Sequence, residues 1–429
     1  MNRKLIVGLI LVTVLAQAAF AQYKTLVEAP PETGGFSANR LARLDSGMNG
    51  WIKKNWVNGA VALVARKGKV VFYKSYGYNN LDTKEALNKT GIFRIASQTK
   101  AITTVAAMML WEEGKFAIDD PVAKYIPAFA KQGVVNSFNL KDTSFTTVPA
   151  KRPITIRDLL THTSGIGYPG IGTPEANAMY AKHLVTGGVG VKESLSLAET
   201  MNNLGGLPLL FQPGEKWMYG LSTDLLGRLI EVWSGMTLEE FFTKRIFQPL
   251  GMKDTYFNVP ASKASRVVNF FQQDSTGKIS KPANVFGGTL DLNYPNIPTT
   301  YFSGGGGLSS TIYDYAIILQ MLLNSGAYGN TRLLSHNTVR LMTMNQIGDL
   351  FQTGTENKFG FGFSIITENG SRLSPSRAGT FAWGGLFSTS YWVDPKEDML
   401  VIIYRQMWGP HIIDTDRAFK PLVYQAIND

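Results

Sequence analysis

The amino-acid sequence predicts an α+β fold in which one antiparallel sheet is built from both ends of the chain, flanked by helices and interrupted by a helical insertion. Two observations point to it. Segments of strand composition lie near both ends, and the stretch from about residue 115 to 300 is mostly helical patterns and long loops. A single sheet covered by helices is the economical way to bury both ends. The α/β part is therefore expected over about residues 35–114 and 301–429, and the helical part over about 115–300.

The N-terminal part begins with a helix. Ser37 is suited to cap it, and apolar residues recur after Ser37 at helical spacing. The next run, GAVALVARKGKVVFYKSYGY, has strand composition on both sides of residues 67–69, Lys-Gly-Lys, which predicts two strands joined by a hairpin turn. Another helix is predicted from Ser97 to Glu113.

Helical patterns dominate the middle of the chain, and strands return towards its end. The clearest helices are ITIRDLLTHTSG and STDLLGRLIEVWSG, the second with Ser222 as N-cap and Gly235 at its C-terminal end. From Tyr301 a glycine turn leads into the helix of SSTIYDYAIILQMLLN. Strand composition marks FGFGFSII, TFAWGG, STSYWVD and DMLVIIYRQ, and a last helix is predicted in TDRAFKPLVYQAI.

Residues 1–21 have the pattern of a secretory signal peptide. A short basic start precedes an uncharged apolar run from Leu5 to Ala16, and Ala19-Phe20-Ala21 offers a cleavage site. The run is short for a membrane span, and no second run of about 20 apolar residues follows it. We therefore expect an exported protein, periplasmic or secreted, whose mature part, residues 22–429, has no stable membrane insertion.

Composition excludes several kinds of chemistry. The chain has no cysteine, which excludes disulfides, thiolate metal sites and a cysteine nucleophile. The net charge is +10, but lysine and arginine are spread singly, so nucleic-acid binding is not predicted. The 4 histidines are widely scattered and no H-E-x-x-H motif occurs, so neither a metal nor a cofactor is predicted.

Two further motif patterns bear on the class of enzyme. Residues 165–170, GIGYPG, match the dinucleotide pattern G-x-G-x-x-G, but they follow a helical segment and carry Pro169 where a helix should open. We interpret them as a glycine-rich loop. No G-x-S-x-G motif occurs, which argues against the usual nucleophile of α/β-hydrolases.

Ser97 and Lys100 form an S-x-x-K pair at the start of an apolar helix. Three residues make nearly one helical turn, so both side chains share a face. The N-terminal end of a helix favours negative charge on the serine, and a buried lysine can accept the serine proton. The pair fits equally well an ordinary helix cap beside a lysine that extends to the surface. A second S-x-x-K, Ser275 to Lys278, lies in a polar stretch and is expected to be an exposed turn.

Five segments resemble, in order, those of the serine β-lactamase-like superfamily, and they extend along nearly all of residues 22–429. They are FRIASQTKAITTVAAMMLWEEGKFAIDDPVAKYIP, ITIRDLLTHTSGI, FQPGEKWMYGLSTDLLGRLIEVWSGMTLEEFFTKRIFQPLGMKDT, GGGGLSSTIYDYAIILQMLLN and FAWGG. Members similar in style are class C β-lactamases, D-alanyl-D-alanine carboxypeptidases and family VIII carboxylesterases. The resemblance implies a β-lactamase/transpeptidase-like fold, which agrees with the split sheet and its helical insertion.

The resemblance also implies roles for particular residues. Ser97 would be the nucleophile that is acylated, and Lys100 would assist its deprotonation. Tyr219 would shuttle protons between nucleophile, leaving group and water, although without the family this position is more typical of a buried aromatic residue ahead of a helix. An isolated tyrosine is a weak base, so this role requires the charge of the lysine nearby. The backbone N–H groups of Ser97 and Leu386 would form the oxyanion hole.

Two positions depart from the β-lactamase pattern. Leu221 stands where β-lactamases have the asparagine of Y-x-N, and Trp383-Gly384-Gly385 stand where they usually have K-T-G. Both changes replace polar recognition of the substrate by apolar surface. A tryptophan-glycine-glycine block is similar to that of family VIII esterases and related acyltransferases. Four aromatic residues would suit an apolar acyl chain, although each alone is equally typical of a buried core: Trp217, Phe381, Trp383 and Phe387.

The sequence thus predicts an exported serine hydrolase that forms an acyl-enzyme and cleaves a small-molecule ester, or an amide. The alternatives are a β-lactamase or D,D-peptidase, an acyltransferase and, in another class, a non-catalytic envelope-binding module that retains the fold. An arginine or lysine near Trp383 that binds carboxylate would favour the β-lactamase or D,D-peptidase. The presence of Ser97, Lys100 and Tyr219 together argues against the binding module. The oligomeric state is left open.

Overall fold

The computed structural model describes residues 22–190, 195–285, 290–291, 293–350 and 356–429. The signal peptide predicted over residues 1–21 lies outside them. The helices are α1 (Ala38–Leu41), α2 (Arg43–Lys53), α3 (Thr99–Glu112), α4 (Ile156–Thr161), α5 (Pro174–Lys182), α6 (Leu197–Gly205), α7 (Ser222–Ser234), α8 (Leu238–Phe242), α9 (Gln248–Leu250), α10 (Ile312–Leu323), α11 (His336–Met342), α12 (Glu368–Ser371) and α13 (Ile412–Tyr424). In the ranges given, no helix combines the length and apolar character that crossing a bilayer requires.

The strands follow the same chain order. They are β1 (Val27–Glu28), β2 (Gly59–Arg66), β3 (Lys69–Asn80), β4 (Glu85–Ala86), β5 (Phe93–Arg94), β6 (Gly133–Phe138), β7 (Phe145–Pro149), β8 (Thr255–Tyr256), β9 (Phe271–Gln273), β10 (Ile279–Ser280), β11 (Ser309–Ser310), β12 (Ala327–Tyr328), β13 (Thr331–Arg332), β14 (Lys358–Phe359), β15 (Ser364–Ile365), β16 (Phe381–Gly385), β17 (Thr389–Asp394), β18 (Met399–Tyr404) and β19 (Met407–Trp408).

One large sheet forms the centre of the molecule, with strand order β1-β3-β2-β18-β17-β16-β15-β14. Neighbours pair antiparallel, except that the short edge strand β1 runs parallel to β3. The two ends of the chain meet where β2 pairs with β18, from Val61 opposite Tyr404 to Arg66 opposite Met399. The predicted fold class, α+β with one sheet built from both ends, is confirmed.

The central strands are buried on both faces of the sheet. In β2, Leu63 faces one apolar cluster and the next residue, Val64, faces the other, because successive side chains of a strand point to opposite faces. Helices α3 and α10 cover the first face, and α2 and α13 cover the second. The sheet therefore lies between two helical layers, and the residues of α3 next to the nucleophile belong to the larger core.

The hairpin predicted around residues 67–69 is present. Lys67 and Gly68 have φ of 55° and 77°, so both central residues of the turn are left-handed, as the two-residue turns that match strand twist require. Ser222 was predicted to be the N-cap of α7. That prediction is wrong, because Leu221 holds the N-cap position. The Ser222 hydroxyl instead shares a hydrogen bond of 2.9 Å with Ser164 Oγ.

One hairpin lies in the part that was expected to be helices and loops. Strands β6 and β7 pair antiparallel over residues 133–138 and 145–149. Their sequences, GVVNSF and FTTVP, are rich in β-branched residues, which pack well on a pleated surface. Turn residues separate the two runs, so local composition is sufficient to predict this hairpin.

Candidate active site

Ser97 lies in a single helical turn, Ala96–Gln98, that leads into α3. Ala96 has φ of 43°, a left-handed conformation that is uncommon for a residue with a Cβ atom and that often marks functional sites. Ser97 is half-buried and stands at the N-terminal end of α3. Backbone N–H groups without helical partners point out at such an end and favour negative charge there.

Lys100 faces Ser97 from the first turn of α3. The residue is 1% exposed, so its ammonium does not extend to the surface. Its Nζ donates to the Gly305 carbonyl oxygen at 2.5 Å and to Ser97 Oγ at 3.4 Å. A buried ammonium needs acceptors for its protons, and these two oxygens supply them. The geometry therefore matches the reactive interpretation of the S-x-x-K pair and not that of a surface lysine.

Tyr219 joins the pair from a segment 122 positions away in the chain. Its hydroxyl donates to Ser97 Oγ at 2.6 Å, and Lys100 Nζ lies 4.5 Å from the centre of its ring. Gly220 fixes the position of this segment, since a Cβ atom there would come 2.0 Å from the Ile166 carbonyl oxygen. The structure thus brings the three predicted side chains to one point.

The end of β16 forms the opposite wall of the site. Trp383 packs with its ring centre 5.7 Å from that of Tyr219. A Cβ atom at Gly385 would come 2.3 Å from the Ile95 carbonyl oxygen, so only glycine lets β16 lie this close to the turn that carries the nucleophile. Leu386 follows directly after this strand and lines the same cleft as Ser97.

Two backbone N–H groups at the site are available to a ligand. In the described ranges, the amide groups of Ser97 and Leu386 donate to no protein acceptor. The Leu386 carbonyl, in contrast, accepts a hydrogen bond of 2.6 Å from Trp408 Nε1, which fixes this turn. Free N–H groups on a fixed backbone are suited to binding a developing oxyanion.

Four of the residues predicted to contact the substrate do not line the cleft. Leu221 is 0% exposed and packs in the main core, because the segment turns into α7 at this residue and directs the side chain inward. Phe381 and Phe387 are also buried in apolar clusters, and neither lines the cleft. Trp217 packs behind Tyr219, against Phe359. Of these aromatic predictions, Trp383 is the one that lines the cleft.

Tyr168 is a cleft residue that sequence reasoning missed. Its ring stacks on Tyr219 with 5.5 Å between centres, and Lys100 Nζ lies 5.5 Å from its centre. Burial and then the negative charge of Asp224 raise the pKa of Tyr168 well above its usual value, so it stays a neutral phenol. It belongs to the loop GIGYPG, in which no periodic pattern marks the tyrosine as a site residue.

Asp224 is the second residue that was missed. It is 0% exposed, in the first turn of α7. Its Oδ1 accepts from Ser303 Oγ at 2.6 Å and from the Gly305 N–H at 3.2 Å, and the carbonyl of Gly305 accepts from Lys100. One residue, Gly305, therefore connects the carboxylate with the lysine through its N–H and its carbonyl oxygen. Burial raises the pKa of Asp224, while the charge of Lys100 and these hydrogen bonds act in the opposite direction.

The glycine run before β11 is needed at this connection. A Cβ atom at Gly304 would come 2.8 Å from the Thr223 carbonyl oxygen, and one at Gly305 would come 2.2 Å from Asp224 Oδ2. The Gly304 carbonyl also accepts a hydrogen bond of 2.7 Å from Thr103 Oγ1 of α3. The loop thus fits between α3 and α7 only because it lacks side chains.

His162 lies behind Tyr219. Within the described chain it forms no hydrogen bond with the nucleophile. It ends α4 in a left-handed conformation with φ of 56°. Its ring centre is 5.1 Å from that of Tyr219. Burial, together with the positive charge of Lys100, lowers the pKa of His162 to about 3, so the imidazole is neutral at neutral pH.

The site opens into a cleft of about 1310 Å³. One wall is mostly apolar and comes from residues 168–189, with Leu290 beside it. The opposite side is formed by residues 383–386 and 388–390 and by α13. Among the described lining residues there is no lysine or arginine, and Asp416 carries the one formal charge.

The sequence and the fold are similar to known proteins. A family model described as Beta-lactamase matches residues 38–419. Protein Rv1367c of Mycobacterium tuberculosis (strain ATCC 25618 / H37Rv) is 31% identical over 360 residues, which cover 81% of this chain and 85% of that protein. Esterase EstB of Burkholderia gladioli is 28% identical over 405 residues, 90% of this chain and 96% of that protein. A solved structure titled EstCE1, a hydrolase with promiscuous acyltransferase activity, superposes with a TM-score of 0.76 at 24% identity, over 91% of this chain and 99% of that one.

Proposed function

We propose, given that this chain belongs to the β-lactamase family and is a serine hydrolase, that it cleaves small carboxylic esters through an acyl-enzyme at Ser97. One observation carries the proposal. Ser97 Oγ is held by Tyr219 and Lys100 beside a mostly apolar cleft, whose described lining offers no cation to a substrate carboxylate. Neutral esters fit such walls, whereas substrates that depend on a carboxylate contact lack a partner.

In the first half of the reaction, Ser97 Oγ attacks the ester carbonyl carbon. In the reactive form Tyr219 is a phenolate that the Lys100 ammonium stabilises, and the hydrogen bond of 2.6 Å is reversed. Ser97 Oγ then donates to the tyrosine oxygen and passes its proton to it. The carbonyl oxygen becomes an oxyanion and accepts from the N–H groups of Ser97 and Leu386. The C–O bond to the alcohol then breaks, the alcohol leaves with the proton from Tyr219, and the acyl group stays on Ser97.

In the second half, water replaces the alcohol. Tyr219 takes a proton from the water as the oxygen attacks the acyl carbon, and the same two N–H groups hold the oxyanion. The bond to Ser97 Oγ breaks, and Tyr219 returns the proton to that oxygen. One ester and one water thus give one acid and one alcohol, and the enzyme returns to its starting state.

The test compares p-nitrophenyl esters of increasing acyl length with a chromogenic cephalosporin, using residues 22–429. Ser97→Ala is expected to lower kcat at least about 10³-fold. Ser275→Ala is the matched control, because Ser275 is exposed in the second S-x-x-K and should leave the rate unchanged. The intact mass of the wild type should rise by one acyl group during turnover.

Two results would contradict the proposal. Faster turnover of the cephalosporin than of every ester would favour a β-lactamase. Hydrolysis that survives in Ser97→Ala would exclude Ser97 as the nucleophile.

The size of the cleft favours acyl transfer as a second activity. Pockets for small molecules commonly enclose about 300–1,000 Å³. The cleft here is about 1310 Å³, which leaves room for an acceptor alcohol beside the acyl group. The same ester assays with added alcohol measure this activity, because transfer gives a new ester in place of the free acid.

Export is also part of the proposal. The leader over residues 1–21 supports it. A mature N-terminus at Gln22, read from the mass of the protein in the periplasmic or extracellular fraction, is the expected result. A full-length protein retained in the cytoplasm would contradict it.

A further inference from the structure

The cleft has one polar end, and its opposite end is mostly apolar. Ser388 and Ser390 line this end together with Asp416 of α13. The opposite end consists mostly of apolar residues from the 168–189 segment. Within the described lining Asp416 is the single charged side chain, so one end of the cleft differs from the rest in both polarity and charge.

Gly384 keeps the polar end connected to the nucleophile. Gly384 pairs with Ser390 across β16 and β17, and paired residues of antiparallel strands direct their side chains to the same face. A Cβ atom at Gly384 would meet one atom within 4 Å, the Thr389 carbonyl oxygen at 3.2 Å. The space beside Ser390 is therefore open above this glycine, and a ligand bound at Ser97 can extend over the strand.

The negative charge of Asp416 points towards the cleft and its positive partner lies behind it. Asp416 Oδ1 accepts from Arg405 Nη2 at 2.6 Å, and Oδ2 accepts from Ser390 Oγ at 3.4 Å. The Arg405 side chain is 1% exposed, whereas that of Asp416 is 39% exposed. Lys420, one turn further along α13, lies over the Trp392 ring and does not line the cleft. A ligand thus meets the carboxylate first.

We propose that Ser390 and Asp416 form a subsite for a hydroxyl- or ammonium-bearing part of the substrate, and that this subsite disfavours substrates with a carboxylate there. Carboxylate and hydroxyl oxygens accept from ammonium and hydroxyl donors, while a second carboxylate is repelled. The inference rests on the proposed esterase activity and names the substrate class: neutral or cationic esters, with a polar group a few atoms from the scissile bond.

The experiment uses three butyrate esters of similar size. They are butyrylcholine, its uncharged isostere 3,3-dimethylbutyl butyrate, and the anionic 3-butyryloxypropanoate. Wild-type kcat/KM is expected to be about fivefold higher for the choline ester than for the neutral isostere, and lower again for the anion, as one partly solvated charge nearby predicts. Raising the salt concentration to about 0.5 M should reduce the preference, because exposed charges are then screened.

Asp416→Asn tests the residue itself. Removing the carboxylate leaves Arg405 as the nearest charge, so the ratio of cationic to anionic kcat/KM should fall at least about tenfold and move towards the anion. The matched control is Asp414→Asn. Asp414 lies on the same helix, is 48% exposed and contacts His411 Nδ1, and its replacement should keep the wild-type ratio.

The outcomes separate the two proposals. If no ester is hydrolysed, the esterase function fails and the subsite fails with it. If the neutral ester is hydrolysed but wild type shows no charge preference at low salt, the subsite alone is wrong. Should Asp416→Asn not fold, the wild-type preference and its salt dependence still decide.

Discussion

Asp224 is a buried carboxylate with one oxygen hydrogen-bonded and the other, Oδ2, without a donor in the described chain. A buried carboxylate with an unpaired oxygen lowers the stability of the fold, since burial disfavours the ionised form. The compensation lies in orientation, because Gly305 donates to Asp224 through its N–H and accepts from Lys100 through its carbonyl oxygen. The carboxylate thus fixes the acceptor to which the lysine ammonium donates. We interpret Asp224 as a positioning residue that lowers stability in exchange for a correctly placed lysine.

Asp224→Asn is expected to lower kcat about tenfold with little change in KM, and to lessen the loss of stability that wild type shows as pH rises towards neutral. The pKa of Asp224 is raised in the folded state, so the folded protein holds this proton to higher pH than the unfolded chain. Wild type therefore loses stability as pH rises above the usual carboxyl value near 3.8, and the variant does not.

Urea unfolding of both proteins from pH 4 to pH 8 measures this difference, which should grow with pH and then level off. Asp82→Asn, at an exposed turn position, is the control and should change neither activity nor stability. A variant that is less stable than wild type at neutral pH would show that the charge of Asp224 supports the fold.

At the scale of elements, helix ends decide where the site residues stand. The sequence located Ser97 and Lys100 because the S-x-x-K spacing and the apolar run after it define both the start of α3 and the shared face. Tyr219 required the family resemblance, since its approach to Ser97 depends on the close contact of Gly220 with residue 166. Tyr168 and Asp224 were missed because loop paths and side-chain directions between α3 and α7 leave no periodic signal.

The end of α4 gives a second titrating position. His162 occupies the left-handed C-cap, where glycine or asparagine is more usual. Its folded pKa is about 3 against an ordinary 6.5, so between these values the unfolded chain binds a proton that the folded protein does not. The stability that depends on the neutral imidazole is complete above pH 6.5 and is lost as pH falls towards 3.

His162→Asn should flatten this acid limb. Asparagine tolerates the left-handed conformation and does not titrate, so the slope of unfolding free energy between pH 6 and pH 4 should decrease by up to about 1.4 kcal/mol per pH unit. Urea unfolding at several pH values measures the slope. His336→Asn, at an exposed position, should leave it unchanged. Equal slopes for wild type and His162→Asn would show that the acid sensitivity has another origin.

For the whole molecule, the fold was predictable because both ends of the chain have strand composition and neither can bury its strands alone. Strands β2 and β18 carry apolar side chains on both faces of the sheet, which places them at the centre of a covered sheet. The pairing partner and register did not follow from composition, because they depend on contacts between residues more than 300 positions apart. The β6–β7 hairpin was not predicted, because the segments around it have helical patterns.

An ion-pair network closes the sheet where the two ends of the chain meet. Arg66 ends β2, and its Nη2 donates to Glu397 Oε2 at 3.0 Å in the turn between β17 and β18. Glu397 also accepts from Arg377 Nε at 2.6 Å, and Arg66 bonds to Asp429. The side chains of Arg66 and Glu397 are 7% and 10% exposed, so this pair is largely removed from water.

Glu397→Gln should therefore destabilise the whole fold by about 2–3 kcal/mol, because it removes one of the two carboxylates that pair with the buried guanidinium. Glu368→Gln is the matched control: its pair with Lys396 spans 3.6 Å, with Glu368 82% exposed, and such surface pairs contribute at most about 1 kcal/mol. Urea unfolding at pH 7 compares the two variants with wild type. Similar small losses in both variants would show that β-strand pairing and apolar packing alone hold the two ends of the chain together, whereas a large loss confined to Glu397→Gln would assign part of that role to the ion pair.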